Sequence, residues 1–70
     1  MELWGSDTCT DCKLIRNWMQ QTPIEFKYVD VAQTNFQGQI PMLTTDDSLK
    51  FFGSGQIKRY VQQKLTEMGF

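Results

Sequence analysis

Two cysteines, Cys9 and Cys12, stand three positions apart near the start of the chain. A Cys-x-x-Cys pair can exchange disulfides, bind a metal ion or close as a structural disulfide. As a permanent cross-link it is weak, because so short a loop removes only about 2 kcal/mol of unfolded-state entropy. A structural zinc site usually takes four ligands, and the chain has two cysteines and no histidine. The pair therefore favours redox chemistry over a structural disulfide or zinc.

The residues around the pair predict that it lies at the start of a helix. Thr8 is a suitable N-cap, and Asp11, three residues later, resembles the acidic member of a capping box. With that cap, Cys9 occupies the first helical position, where unpaired backbone N–H groups and the helix dipole stabilise a thiolate. Cys12 follows nearly one turn later on the same side, so we expect it to be the less exposed sulfur.

This placement predicts a two-step reaction. The Cys9 thiolate attacks a substrate disulfide, and Cys12 then attacks the resulting mixed disulfide to release the reduced product. Asp7 and Asp11 oppose strong stabilisation of the thiolate, and Lys13 and Arg16 partly offset them. One cycle leaves the pair oxidised, so the protein requires an external reductant.

The first half of the chain has the pattern of a β-α-β unit. A short apolar strand over residues 2–5 precedes the cysteines, and an amphipathic helix follows them until Pro23 ends it near Gln21. Alternating apolar residues predict a second strand over 26–30. The polar segment 31–39 is expected to be a loop with at most one helical turn.

The second half predicts a hairpin and a closing helix. Residues 40–45 form a strand opened by proline, Asp46-Asp47 is the turn, and 48–52 is the returning strand. The last helix has Ser54 as its N-cap, Gly69 as its stop and one apolar face, which consists of Ile57, Val61, Leu65 and Met68. The order β-α-β-β-β-α predicts a single α/β domain over 1–70, with helices packed on a four-stranded mixed sheet. This is the arrangement of a minimal thioredoxin fold.

The composition excludes several functional classes. Seven basic and eight acidic residues give a net charge of -1 without charged blocks, which predicts neither nucleic acid nor an anionic membrane as a partner. No apolar run approaches the roughly 20 residues of a membrane span, and the N-terminus lacks the pattern of a signal peptide. We expect a cytoplasmic monomer, since close cysteine pairs in reducing compartments usually serve redox chemistry or metal binding.

Three motifs resemble the glutaredoxin family of the thioredoxin superfamily, including the short glutaredoxin-like hydrogen donors of ribonucleotide reductase. They are residues 4–12 with the C-x-x-C, the segment Gln39-Ile40-Pro41, and the glycine-rich turn 53–57, and the resemblance covers nearly the whole chain. It implies a cis proline at Pro41 beside the active cysteines. It also implies reduction of protein or glutathione mixed disulfides.

The resemblance implies a substrate groove around the cysteines. The residue before a strand-opening proline keeps backbone groups that can pair with an extended peptide, and a helix N-terminus can hold a carboxylate. An ordinary edge-strand start and simple turn chemistry are the alternatives for these two segments. The predicted substrate-binding residues are Thr10, Asp11, Ile40, Pro41, Gly53, Ser54 and Gly55.

The implied partners are protein disulfides, with ribonucleotide reductase as one target, and either glutathione or thioredoxin reductase as the electron donor. No tightly bound cofactor or metal is expected. The chain departs from the family at Ser6, where many glutaredoxins carry Lys or Arg, and at Thr10-Asp11, where they carry Pro-Tyr. The segment 31–39 is also shorter, which predicts that a helix on one sheet face is reduced or missing.

Two other functions stay open on the sequence. A non-catalytic thioredoxin-fold module could use its groove to hold a partner without needing both cysteines. Alternatively, two chains could supply four thiolates to a metal ion or an iron–sulfur cluster across a dimer.

Overall fold

A computed structural model describes residues 1–69 of the chain. Its elements in chain order are β1 (Glu2–Gly5), α1 (Thr10–Gln20), β2 (Lys27–Asp30), a 3-10 turn (Val31–Gln33), β3 (Met42–Thr44), β4 (Lys50–Phe52) and α2 (Ser54–Glu67). The strands form one mixed sheet in the order β2-β1-β3-β4. The predicted α/β architecture with a four-stranded mixed sheet is confirmed.

Strand β1 is central and pairs in parallel with β2 and antiparallel with β3, which in turn pairs antiparallel with β4. Leu3 of β1 stands opposite Tyr28 on one side and Leu43 on the other. Both leucines are fully buried beneath the two helices. This row of the sheet therefore forms the sheet side of the hydrophobic core. The other buried members of the core come from the helices, namely Ile15, Met19, Ile57, Val61 and Leu65.

Helix α1 follows the apolar spacing of the sequence. Cys12, Ile15 and Met19 recur at three and four residues and are all buried on the sheet side. The helix ends at Gln20, close to the predicted position, and the hydroxyl of Thr22 donates to the carbonyl of Met19 at 2.7 Å. This bond satisfies a terminal carbonyl that has no intrahelical partner.

The other face of the sheet carries an apolar row that crosses all four strands. Register and strand alternation place Trp4, Val29, Met42 and Phe52 on this face. The ring of Phe36 lies 5.3 Å from that of Trp4, so the segment after the 3-10 turn covers the middle of the row. As predicted, residues 31–39 form one helical turn and no longer helix.

Four details of the second half differ from the prediction. Strand β3 covers Met42–Thr44 rather than 40–45, and Pro41, which has no N–H for the strand ladder, lies before it. Ser54 is the first residue of α2, and Gly53 is its N-cap. Strand β4 is shorter than 48–52, because Ser48 has a φ of 67° and its N–H donates to the carbonyl of Thr45, which extends the turn. Met68 is 58% exposed, because the chain leaves the helix there and turns at Gly69, the predicted stop.

Among residues 1–69, no helix combines the length and the apolar character that crossing a membrane would require.

Candidate functional site

Cys9 is itself the N-cap of α1. Its backbone is extended, with φ of -97° and ψ of 112°, and its sulfur accepts a hydrogen bond from the backbone N–H of Cys12 at 3.2 Å. That N–H is one of the first-turn donors that lack an intrahelical acceptor. The sulfur thus lies at the positive end of the helix dipole and receives a donor, and both effects favour negative charge on it.

The predicted cap at Thr8 is therefore wrong by one residue. The hydroxyl of Thr8 lies 3.0 Å from that of Ser6, and the N–H of Thr8 donates to the Ser6 hydroxyl at 3.3 Å. These contacts hold the loop in a tight turn, which brings Cys9 rather than Thr8 to the capping position. Asp11 is the second helical residue rather than the third, so it does not stand where a capping box requires an acid.

Cys12 is fully buried, whereas Cys9 is partly exposed, as the spacing predicted. Burial raises the pKa of the Cys12 thiol to about 11, and a hydrogen bond to Cys9 adds to this effect. The charges of Cys9 and Asp11 act in the same direction, while the backbone N–H of Ser6 opposes them. At neutral pH Cys12 is therefore a thiol.

Gly5, the last residue of β1, lets the sheet approach Cys12 closely. A Cβ on this glycine would lie 2.9 Å from the Cβ of Cys12 and 3.1 Å from its sulfur. It would also lie 3.2 Å from the hydroxyl oxygen of Tyr28. The side chains of Cys12 and Tyr28 therefore border the same point above the sheet.

Arg16 lies behind this point, one turn after Cys12 on α1. Its guanidinium carbon is 4.0 Å from the centre of the Tyr28 ring, a cation–π contact. The Nε atom of Arg16 is buried and has no hydrogen-bond partner among the described residues. The sequence did not identify Tyr28 or Gly5 as site residues, although the i, i+4 spacing of Cys12 and Arg16 was a signal that the two share a helix face.

The second motif reaches the same end of the sheet. The Ile40–Pro41 peptide bond is cis, as the resemblance implied. Trp4 pairs with Met42, and continuing that register places Pro41 beside Gly5, whose Cα lies against Cys12. Pro41 is buried and Ile40 is partly exposed.

The third motif is tied to the second by a backbone bond. The N–H of Gly53 donates to the carbonyl of Pro41 at 2.9 Å. Gly53 has a φ of 85° and a ψ of 149°, a conformation that is open almost only to glycine. The start of α2 is thereby fixed beside the proline.

A shallow groove of about 190 Å³ separates the two helices near their N-termini. Ser54, Gly55 and Lys58 line it from α2, and Leu14, Ile15 and Trp18 line it from α1. Leu14 is 61% exposed, since two positions after the buried Cys12 a helical residue points to the opposite side. Thr10 and Asp11 are exposed between the cysteines. The structure thus gathers the predicted residues at one end of the molecule.

Within the part of the chain that the structure describes, no three His, Cys, Asp or Glu side chains converge where they could hold a metal ion.

A scan against protein-family models, a search of curated proteins and a search of solved structures each found no match to this chain.

Proposed function

We propose that this protein is a glutaredoxin-like thiol–disulfide oxidoreductase with a minimal thioredoxin fold. The observation that carries the proposal is the asymmetry of the two sulfurs. The Cys9 sulfur is partly exposed and accepts the N–H of Cys12 at the start of α1, while Cys12 is buried with its pKa raised to about 11. A nucleophile must be reachable and ionised, whereas a resolving thiol must wait until the first step is complete.

In the first step the Cys9 thiolate attacks one sulfur of a substrate disulfide. The substrate S–S bond breaks, a Cys9–substrate disulfide forms, and the released thiolate takes a proton from water. In the second step Cys12 loses its proton, and its thiolate attacks the Cys9 sulfur. The Cys9–substrate bond breaks, the substrate leaves as a thiol, and the Cys9–Cys12 disulfide remains.

The second and third motifs supply the substrate groove in this proposal. Ile40 is partly exposed and precedes strand β3, so its backbone groups can pair with an extended peptide as a short strand would. Ser54 and Gly55 lie in the first turn of α2, where backbone N–H groups can receive a carboxylate. Thr10 and Asp11 are exposed between the cysteines, where a bound substrate can contact them.

Substrates in this proposal are protein disulfides, with ribonucleotide reductase as one target, or glutathione mixed disulfides. The donor is glutathione or a flavoprotein thioredoxin reductase, and no tightly bound cofactor takes part. Ser6 stands where many glutaredoxins carry a cation, which tilts the choice of donor away from glutathione. A dithiol that must be reduced again after each cycle suits a monomer acting in the cytoplasm.

The proposal is tested by reduction of bis(2-hydroxyethyl) disulfide, run separately with glutathione and its reductase and with thioredoxin reductase, each driven by NADPH. Wild-type protein should turn over in at least one system, and Cys9→Ser should not. The control is Cys12→Ser, which keeps the nucleophile and should retain activity only with glutathione as the second thiol.

Full activity of Cys9→Ser would overturn the assignment of the nucleophile. Absence of turnover with either donor would favour a non-catalytic binding module. A visible absorption band together with stoichiometric metal in freshly purified dimer would favour metal or cluster binding.

A further inference from the structure

Tyr28 and Arg16 have no part in the reaction as described so far, yet they lie directly behind its buried sulfur. The hydroxyl of Tyr28 and the sulfur of Cys12 both lie within about 3 Å of the point above Gly5 that a Cβ would take, at 3.2 Å and 3.1 Å. Tyr28 comes from β2, Cys12 from α1 and Gly5 from β1. Three elements thus bring one neutral donor and one thiol close to the same position above Gly5, and within residues 1–69 the two groups are not hydrogen-bonded to each other while Cys12 is a thiol.

Arg16 fixes the ring of this tyrosine. Its guanidinium carbon lies 4.0 Å from the ring centre, and its buried Nε has no hydrogen-bond partner among residues 1–69. A cation held on one face of the ring limits how far the ring can turn. The hydroxyl is therefore held above Gly5, near the Cys12 sulfur.

We propose that Tyr28, held by Arg16, is a positioning residue for the resolving step, and that its hydroxyl donates a hydrogen bond to the Cys12 thiolate. The inference rests on the proposed oxidoreductase function. In the resting protein Cys12 is a buried thiol with a raised pKa, and a neutral thiol does not require a donor. Once Cys9 is bound to substrate, Cys12 must lose its proton in a buried place, and a thiolate there requires a hydrogen-bond donor.

Tyr28 is suited to be that donor. Burial raises the pKa of its hydroxyl, the charges of Asp7, Cys12 and Asp30 raise it further, and Arg16 acts in the opposite direction. The hydroxyl therefore stays protonated over the pH range in which the enzyme would work. A neutral phenol stabilises a thiolate by donation and does not take its proton, so the proton of Cys12 leaves to water.

The test reads Cys12 directly and needs no turnover. In a Cys9→Ser background, the ¹³Cβ chemical shift of Cys12 is followed against pH by NMR. A hydrogen bond to a charged group corresponds to about one pH unit, so Tyr28→Phe should raise the midpoint by about that much. Tyr60→Phe is the matched control, because Tyr60 stacks on Phe51 at 4.5 Å between α2 and β4 and should leave the midpoint unchanged.

Arg16→Gln separates positioning from direct electrostatics. If Arg16 acts through Tyr28, the Arg16→Gln substitution should raise the titration midpoint of Cys12 when Tyr28 is present. In the Tyr28→Phe background the same substitution should change the midpoint little. An equal shift of the Cys12 midpoint in both backgrounds would mean that the charge of Arg16 acts on Cys12 directly. Arg16 would then have no positioning role. Both variants keep the ring or the aliphatic stem that packs in place, and a native NMR spectrum verifies the fold.

The outcomes also separate this inference from the proposed function. An unchanged Cys12 midpoint in Tyr28→Phe, with normal turnover of the wild type, would overturn the inference alone. A shifted midpoint without turnover toward any disulfide would leave the contact in place and overturn the oxidoreductase. In single turnover, Tyr28→Phe should slow release of substrate from the mixed disulfide about tenfold and leave its formation unchanged.

Discussion

The sulfur of Cys9 accepts the backbone N–H of Cys12 at 3.2 Å, so the candidate nucleophile also caps the helix that carries it. Both roles use lone pairs of the same atom. A disulfide sulfur is a weaker hydrogen-bond acceptor than a thiolate, so formation of a mixed disulfide would weaken the cap at the helix start. The first turn of α1 is therefore part of the fold and of the candidate active site.

The capping role predicts a difference between two substitutions of Cys9. Serine is among the best N-cap residues and alanine among the poor ones, and the exchange typically costs about 1 kcal/mol. Cys9→Ala should therefore be less stable than Cys9→Ser by about that amount, while both lack activity. Urea unfolding followed by circular dichroism measures the difference. Equal stability of the two variants would mean that position 9 does not act as the N-cap of α1.

Cys12→Ser should trap the reaction halfway. Without the resolving sulfur, the Cys9–substrate disulfide has no internal route to release and accumulates. Treatment with glutathione disulfide should yield one mixed disulfide per chain, which intact-mass analysis detects and peptide mapping assigns to Cys9. Wild-type protein treated in the same way should show the internal disulfide instead. Absence of the mixed disulfide from the Cys12→Ser variant would contradict the exposure and reactivity assigned to Cys9.

The order of elements could be predicted from the sequence because each one is defined locally. Pro23 ends α1, and the spacing of Ile57, Val61 and Leu65 defines the buried face of α2. These signals depend on neighbours within a few residues, so they can be recognised in the sequence without knowledge of tertiary contacts. The choice between Thr8 and Cys9 as cap was not predictable in the same way, because it depends on how the Ser6 loop turns.

The neighbours of Cys12 could not be predicted for a different reason. Tyr28 reaches the site only through the register of β2 against β1, and Gly5 only through the packing of α1 on the sheet. A shift of one residue in that register would turn Tyr28 to the other face. The apolar row around Trp4 was hidden likewise, since only the pairing of four strands brings its members together.

The buried position of Cys12 predicts the pH dependence of the resolving step. Its pKa is raised to about 11, and burial, the largest cause, persists when Cys9 is bound to substrate. The thiolate fraction below that value grows about tenfold per pH unit, so the rate of substrate release should rise with the same slope from neutral pH into the alkaline range. Stopped-flow single turnover measures this rate. A plateau near neutral pH would contradict the raised value.

Gly5→Ala should displace Cys12 from its position against β1. The added methyl group would stand 2.9 Å from the Cβ of Cys12, too close for the packed elements to remain in place. Overpacking of this kind costs about 1–3 kcal/mol, and moving Cys12 should slow the resolving step as well. Urea unfolding and single turnover measure the two effects.

Gly55→Ala is the matched control for that substitution. No atom lies within 4 Å of its added methyl group, and alanine favours helix, so stability should be unchanged or slightly higher. Equal stability of the two alanine variants would refute the close approach at Gly5.

Gly53→Ala should act through the backbone alone. There is open space around the position that its methyl group would take, yet its φ of 85° is one that alanine adopts only with strain. The cost of such a conformation is about 1–3 kcal/mol, and relief of the strain would pull the Gly53 N–H away from the carbonyl of Pro41. Because that bond fixes α2 beside the substrate groove, KM for a disulfide peptide should rise more than kcat falls. Steady-state kinetics of Gly53→Ala against the wild type tests this split, and a fall in kcat alone would assign the glycine to the chemistry instead of the groove.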